Sequence, residues 1–470
     1  MRSTKIVATI GPASRHPDVL EAMVKAGVDV ARLNFAHGSP AEHAETVAMI
    51  RAAAERAGRD VAVLQDVPGP KLRLGPVADG VCELGTDSEV VLTSEQVEGD
   101  CERLSVAWPG LGEIMSEGDV AYLADGAIRL RVLTVSDGEV RAHVEVGGTV
   151  ASRQGMNLPN VTLALPAVSA EDLALIDAGL EMGVDLLALS FVRSREDLEP
   201  VRDRLREWDR DVPLIAKFEK PQATLHAEEI IDAADGIMVA RGDLGIELPI
   251  EDMPLVQKRL LQLAGQRGKP AITATQMLES MVHSSRPTRA EVTDVANAIF
   301  DGTDAVMLSQ ETAIGNHPVA VVEMMASIAR RTEEGLPYAR WLTERGVKAS
   351  DQSATIAFGA VGAVYQLGLK ALIVPTNTGR TAALIASHRP NVPVLALSPR
   401  PEVVRRCSFL WGVLAELKEE PLDATDLIDA CAEAAVRRGL AEVGDRIGIT
   451  AGLPSGVSGG TNLFKVHEIR

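Results

Sequence analysis

Aromatic side chains are scarce in this chain: Trp, Tyr and Phe together make up 3% of its residues. That leaves little from which to build a stacking platform for nucleic-acid bases. A surplus of basic charge is also missing, because the formal net charge is −19, and a broadly basic phosphate-binding surface goes with it. Cysteine is sparse too. Cys82, Cys101, Cys407 and Cys431 are scattered without CxxC spacing, so neither a zinc site nor a disulfide framework is indicated. No uninterrupted apolar run approaches the roughly 20 residues that span a membrane, and the opening "MRSTKIVATIG" has no apolar centre of a signal peptide. The expected location is the cytoplasm, with neither nucleic acid nor membrane as partner. What remains, 46% apolar and 24% charged, is the composition of a folded, water-soluble protein. A length of 470 residues exceeds one ordinary core, so two or three domains are expected.

Short apolar runs alternate with amphipathic stretches from the start. "KIVATIG" leads into "HPDVLEAMVKAG", a helical pattern closed by Gly27. "VDVARLNF" leads into a second helical pattern with Ser39 as N-cap, Glu42 three places on and Gly58 at its end. "DVAVLQD" is a third strand. From about Lys71 to Leu165 the pattern changes to alternating segments with Gly- and Asp-rich turns, and Asp125-Gly126 and Asp137-Gly138 read as hairpins. This is a small all-β insertion. After Ser169, a second capping residue, come "DLLALSFV", "VPLIAKFE", "DGIMVARGD", "KPAITATQM" and "DAVMLSQET", again separated by helical patterns. Eight strands in β/α alternation point to a (β/α)₈ TIM barrel interrupted after its third strand, although a doubly wound open sheet also alternates. A further α/β unit starts near Val347. The expected division is 1–69 with 167–345 as catalytic barrel, 70–166 as a β-barrel lid, and 346–470 as a C-terminal effector-binding unit.

Polar residues recur at the downstream ends of these strands. Arg32 with Asn34, Lys217 with Glu219, Arg241 with Asp243, Thr273 with Thr275, and Ser309 with Glu311 are i, i+2 pairs, and Asp66 ends the third strand. Alternate residues of a strand share a side. In a barrel the C-terminal strand ends form the mouth at which chemistry sits. One such pair is as well explained by structural ion pairing; five at equivalent places are not. Glu219 and Asp243, on consecutive strands, suit Mg²⁺ with water and substrate oxygens completing its shell, the alternative being one carboxylate ion-paired with Lys217. Arg32, Arg73, Lys217 and Arg241 can supply the positive charge that a phosphoryl group needs, and Gly242 lets a backbone N–H approach an anion. There is no GxxxxGK[ST] loop. The residues alone therefore indicate a metal-assisted enzyme acting on a phosphorylated or carboxylated small molecule.

The motifs "KIVATIGPAS", "ARLNFAHG", "AKFEKPQA", "DGIMVARGDLGIELP", "ATQMLESM", "RPTRAEVTDVANAIFDGTDAVMLSQETA" and "TNLFKVHEI", nearly end to end and in order, resemble the pyruvate kinase family. The resemblance implies phosphoryl transfer between phosphoenolpyruvate and ADP, giving pyruvate and ATP, with Mg²⁺ (or Mn²⁺) as cofactor. It implies that Lys217 offsets charge on the moving phosphoryl group and that Glu219 and Asp243 hold the metal. Gly242, Asp243 and Thr275 match positions around the substrate carboxylate, with Thr275 near the carbon that is protonated. Arg32 and Arg73 match phosphate contacts. Asn34, His37 and Pro12 lie where the family binds nucleotide, and Ser309 in its proton-relay region. The β insertion resembles the family's water-excluding lid.

Departures from the family pattern concern its K⁺ site, at Asn34, residue 36, Asp66 and residue 67. The serine of "NFSHG" is Ala36, the threonine after Asp66 is Val67, and the glutamate of "DTKGPEIR" is Lys71. An ammonium at Lys71 would stand in for the ion, so K⁺ is expected to be dispensable. Gln310, the residues around Glu42, and Glu171 also depart from the pattern. In the C-terminal unit, "TNTGRTA" brings Thr376, Thr378, Gly379, Arg380 and Thr381 to a helix N-terminus. This is either a plain cap or a phosphate cradle, and the resemblance favours the cradle of a phosphorylated allosteric effector. "GLPSGVSGGTN" matches a second effector loop, and the family forms homotetramers. Two other readings compete: a Schiff-base lyase or aldolase using Lys217, and a metabolite sensor with an inactive barrel.

Overall fold

The structure, a computed structural model, describes residues 2–69, 72–108, 110–136, 138–159, 166–345, 352–418, 424–452 and 460–470. Eight parallel strands close into a barrel: β1 (Lys5–Thr9), β2 (Val30–Asn34), β3 (Ala62–Val67), β4 (Leu186–Leu189), β5 (Leu214–Phe218), β6 (Gly236–Ala240), β7 (Ala271–Ala274) and β8 (Ala305–Leu308). Each strand neighbours the next in the chain, and β8 returns to β1 with Lys5 opposite Ala305. Closure excludes the open doubly wound sheet. These strands read as unbroken apolar runs because both of their faces are buried. One face packs on the surrounding helices. The other fills the barrel interior with Val7, Leu64, Ala188, Ile215, Met238 and Ile272, joined by Phe409 from the C-terminal unit.

Helix starts follow the capping chemistry. Ser39 caps Pro40–Ala57 in a capping box with Glu42, and Gly58 ends that helix in the left-handed region at φ 63°. Ser169 does the same for Ala170–Glu181 with Asp172, and Thr288 for Arg289–Phe300 with Glu291.

Between β3 and β4 the chain builds a seven-stranded sheet and a separate two-stranded one. Val120–Leu123 and Ile128–Ser136 form an antiparallel hairpin across Asp125-Gly126, and Ile128–Ser136 pairs with Glu139–Val146 across Gly138. Asp137 lies outside the described residues. The outermost strands, Leu72–Arg73 and Arg103–Ser105, are joined by an antiparallel bridge from Leu74 to Val106 and by the Gly75 N–H donating to the Ser105 carbonyl at 2.8 Å. The sheet therefore curls round on itself over its own core of Leu92, Leu104, Leu130 and Val140.

The C-terminal unit is a five-stranded sheet. β9 (Leu372–Pro375), β10 (Val394–Ser398), β11 (Val413–Leu417) and β12 (Arg446–Ala451) are parallel, and β13 (Leu463–Glu468) is antiparallel at the edge. It meets the barrel at the end opposite the mouth. Lys5 Nζ donates to the Val413 carbonyl at 2.7 Å, and the Arg405 and Arg389 guanidiniums pair with the buried carboxylates of Asp185 and Asp304 at 2.7 and 2.8 Å.

Candidate active site

Lys217 lies near the downstream end of β5, buried, with its ammonium between two carboxylates: 2.9 Å from Asp66 Oδ1 and 2.8 Å from Glu219 Oε1. It also donates to Ser190 Oγ at 2.7 Å, and that hydroxyl donates to the Val67 carbonyl at 2.7 Å. Asp66 binds Arg32 through its other oxygen at 2.7 Å, and Arg32 in turn donates to Thr9 Oγ1 at 2.9 Å. Glu219 Oε2 accepts the Phe191 N–H at 2.9 Å. Strands β1 to β5 thus converge on one buried cluster of two cations and two carboxylates.

The electrostatics follow from this packing. Burial opposes charge on Lys217, but Asp66 and Glu219 outweigh it and hold the ammonium protonated well above its usual range. Burial likewise opposes charge on Asp66, and Lys217 and Arg32 overcome it, so that carboxyl is held below its usual range. Glu219 goes the other way. Burial, with Asp243 and Asp66 nearby, outweighs Lys217 and pushes the Glu219 carboxyl up. An anion crowded by other anions in a dry site is stabilised by a further cation. Among the described residues no group of three or more His, Cys, Asp or Glu is placed to hold a metal ion. Two carboxylates with substrate oxygens and water filling the remaining positions fit Mg²⁺, a hard ion that keeps much of its water.

Gly242 and Thr275 meet across β6 and β7. The Gly242 N–H donates to Thr275 Oγ1 at 2.7 Å, and that hydroxyl donates to the Ala274 carbonyl at 2.6 Å. Thr275 and Gln276 have φ of 70° and 54°. Two successive non-glycine residues in the left-handed region cost on the order of 1–3 kcal/mol each, and backbone strain of this kind concentrates at functional sites. Ser309, half-buried, has its N–H taken by Glu311 Oε2 at 2.6 Å.

Other expected residues are placed differently. Arg241 is among the cations expected to supply positive charge to a phosphoryl group. Instead it pairs with Asp294 at 2.7 Å and donates to the Thr275 carbonyl at 2.8 Å, because these acceptors lie within reach of its fork. Thr273 turns to Thr303 Oγ1 at 3.0 Å, and Glu311, fully buried, ties down Ser309 and Leu278. The strand-end rule therefore selects both chemistry and scaffolding. Pro12 and His37 are exposed on the loops after β1 and β2, and Asn34 Oδ1 accepts the Ala36 N–H at 3.2 Å. Arg73, on the first strand of the β insertion, donates to the Arg153 carbonyl at 3.3 Å. Lys71 lies outside the described residues. Ser190 and Thr9 went unpredicted, yet the same strand-end rule applied to "LLALSF" and "KIVAT" selects both.

In the C-terminal unit, the Gly379 N–H donates to Thr376 Oγ1 at 2.9 Å, and Thr381 shares a 2.7 Å hydrogen bond with Thr461. Thr378, Gly379 and Arg380 line a cavity of about 770 Å³ that reaches Leu186, Pro213 and Pro270 at the entry ends of the barrel strands. Arg267, Lys269 and Arg406 line it together with Asp211, Asp232 and Asp235, and Arg267 pairs with Asp232 at 2.9 Å.

The comparisons with known proteins agree along the whole chain. The family described as "Pyruvate kinase, barrel domain" matches residues 1–322, and "Pyruvate kinase, alpha/beta domain" matches 354–467. The chain is 45% identical to the pyruvate kinase of Geobacillus stearothermophilus, over 100% of this chain and 80% of that protein. It is 42% identical to that of Thermococcus litoralis, over 99% and 98%. A crystal structure of a pyruvate kinase from Cryptosporidium parvum superposes with a TM-score of 0.94 at 33% identity, covering 100% of this chain and 96% of the other. With this coverage by family, relatives and fold, the chain belongs to the pyruvate kinase family, a family of phosphotransferases.

Proposed function

We propose that this member of the pyruvate kinase family carries out Mg²⁺-dependent phosphoryl transfer from phosphoenolpyruvate to ADP without a requirement for K⁺, and that a phosphorylated effector regulates it. The observation that carries this reading is the Lys217 ammonium, buried and held charged between Asp66 and Glu219. Phosphoryl transfer runs mainly on positioning and charge neutralisation, and a preorganised cation in a dry site supplies both. Lys217 and Arg32 offset charge on the moving phosphoryl group, with Arg32 aimed by Asp66 and Thr9. Arg73 approaches the phosphate from the insertion. Glu219 and Asp243 would hold the metal ion, and Mg²⁺ (or Mn²⁺) bound there would supply further neutralisation of negative charge. Gly242 and Asp243 border the substrate carboxylate. Thr275 stands where the enolpyruvate carbon gains its proton, with Ser309 in the relay, and Asn34, His37 and Pro12 receive the nucleotide.

The same physics argues against a Schiff-base lyase, since a lysine held protonated is a poor nucleophile. K⁺ independence rests on Ala36 and Val67 in place of two hydroxyls and on Lys71, with the Val67 carbonyl already accepting from Ser190. The Thr376–Thr381 loop, with Arg380 at the start of helix Arg380–Ser387, supports an anionic effector there. We assign catalysis to 1–69 with 167–345, closure to 70–166 and regulation to 346–470, in a cytoplasmic homotetramer.

The test is the initial rate of pyruvate formation from phosphoenolpyruvate, ADP and Mg²⁺ in tetramethylammonium buffer, with and without K⁺. Equal, high rates are expected. A large K⁺ activation would reject the Lys71 argument and keep the reaction. No rate in either buffer, even with sugar phosphates or AMP added, would favour a metabolite sensor.

A further inference from the structure

Arg241, at the end of β6, has a guanidinium fork that reaches three successive residues beyond β7. Its Nε and Nη2 donate to the Thr275 carbonyl at 3.3 and 2.8 Å, and Nη2 also reaches the Gln276 carbonyl at 3.2 Å and Met277 Sδ at 2.8 Å. On its other side, Nη1 lies 2.8 and 2.7 Å from the two oxygens of Asp294, on helix Arg289–Phe300. The backbone under this fork is the left-handed pair, with φ 70° at Thr275 and 54° at Gln276. A β-branched residue stays there only when its surroundings over-determine it. The next residue after Arg241 donates its N–H to Thr275 Oγ1 at 2.7 Å, so one strand end grips both the carbonyl and the hydroxyl of the same threonine.

We propose that Arg241 is a positioning residue: anchored on Asp294, it holds the strained 275–277 turn so that the Thr275 hydroxyl stands at the carbon being protonated. The inference rests on the reading of Thr275 given above. It requires a planar, multidentate donor, and lysine, a point charge with one reach, does not replace it. Asp294 acts on the chemistry through two intermediaries. Its loss loosens the fork without removing it.

Arg241→Gln, Arg241→Lys and Asp294→Asn in the full chain test this. The readouts are steady-state kinetics, thermal midpoint, and deuterium exchange into the pyruvate methyl group with Mg²⁺ and ATP, followed by NMR. For Arg241→Gln, kcat and methyl exchange should fall together by about 100-fold, the cost of a roughly 1 Å misplacement, with KM for ADP within about twofold of the wild type. Arg241→Lys should recover less than about a tenth of the lost rate, and Asp294→Asn should lose roughly 3- to 10-fold at an unchanged thermal midpoint. An active wild type with exchange within twofold in Arg241→Gln overturns the inference. So does a loss that merely tracks a lowered thermal midpoint, or an Asp294→Asn variant with normal exchange should Arg241→Gln fail to fold. A wild type without turnover or exchange overturns the reading of Thr275 itself, and the inference with it.

Discussion

Asp66 joins two cations in the barrel mouth, binding Arg32 and Lys217 at 2.7 and 2.9 Å while 1% exposed. Its replacement by Asn leaves two buried cations facing a neutral amide. Breaking a buried pair from one side costs about 3–5 kcal/mol, and the same change misplaces the two cations proposed to face the phosphoryl group. Asp66→Asn should therefore lose stability by that amount in guanidinium titrations and lose kcat by about 10²-fold, the scale of one electrostatic contact. The pH dependence has a definite sign. Burial raises the Asp66 carboxyl, but Lys217 and Arg32 prevail and its folded pKa lies below the unfolded value. Its stabilisation is present above about pH 4 and is lost as pH falls through the folded pKa. The wild type should therefore lose stability more steeply on acidification than Asp66→Asn, and a parallel acid limb in both would contradict this account.

Helix Arg289–Phe300 shows how one cap serves both an element and the site. Glu291 closes the capping box with Thr288, accepting its N–H at 2.7 Å, and also takes the Ser280 N–H at 2.7 Å and hydroxyl at 2.6 Å. The cap thereby pins the segment that follows Thr275. Glu291→Ala should cost roughly 1–2 kcal/mol, a cap plus a charged hydrogen bond, and should speed amide hydrogen exchange around residues 278–284. Unchanged exchange there would show that the segment is held by other contacts. At this scale much was legible in the sequence. The eight barrel strands stood out because each is an apolar run buried on both faces, and Ser39 and Ser169 announced their helices because orphan N–H groups at a helix start demand an acceptor. The turn at Thr275–Gln276 was not legible, because neither residue is a glycine or asparagine that would flag a left-handed backbone. The partner of Arg241 was hidden for a different reason: Asp294 lies 53 positions away, and only the closed barrel brings the two together.

For the whole molecule, the barrel and the C-terminal sheet are joined through groups that sequence alone could not pair, because the contacts form only after both units have folded. Lys5 is the clearest. Burial, with Arg2 and Arg59 nearby, outweighs Asp29 and lowers its pKa to about 8. Between that value and the usual 10.4 the unfolded chain keeps a proton that the folded chain has released, so stability rises with pH across this window. The wild type should gain up to about 3 kcal/mol relative to Lys5→Met between pH 8 and 10.5, read as denaturant midpoints of both proteins at each pH; a constant difference would mean that Lys5 stays charged. The β insertion has the opposite relation to the barrel, since the chain leaves after β3 and returns before β4 around a sheet whose outer strands meet at Leu74 and Val106. A domain that swings away in every turnover would, if built as an open sheet, bare a row of unpaired amides each time and invite strand addition from neighbouring molecules. Rolled shut on itself through the Leu74–Val106 bridge, this one would make the proposed opening without offering its outer strands as a template for aggregation.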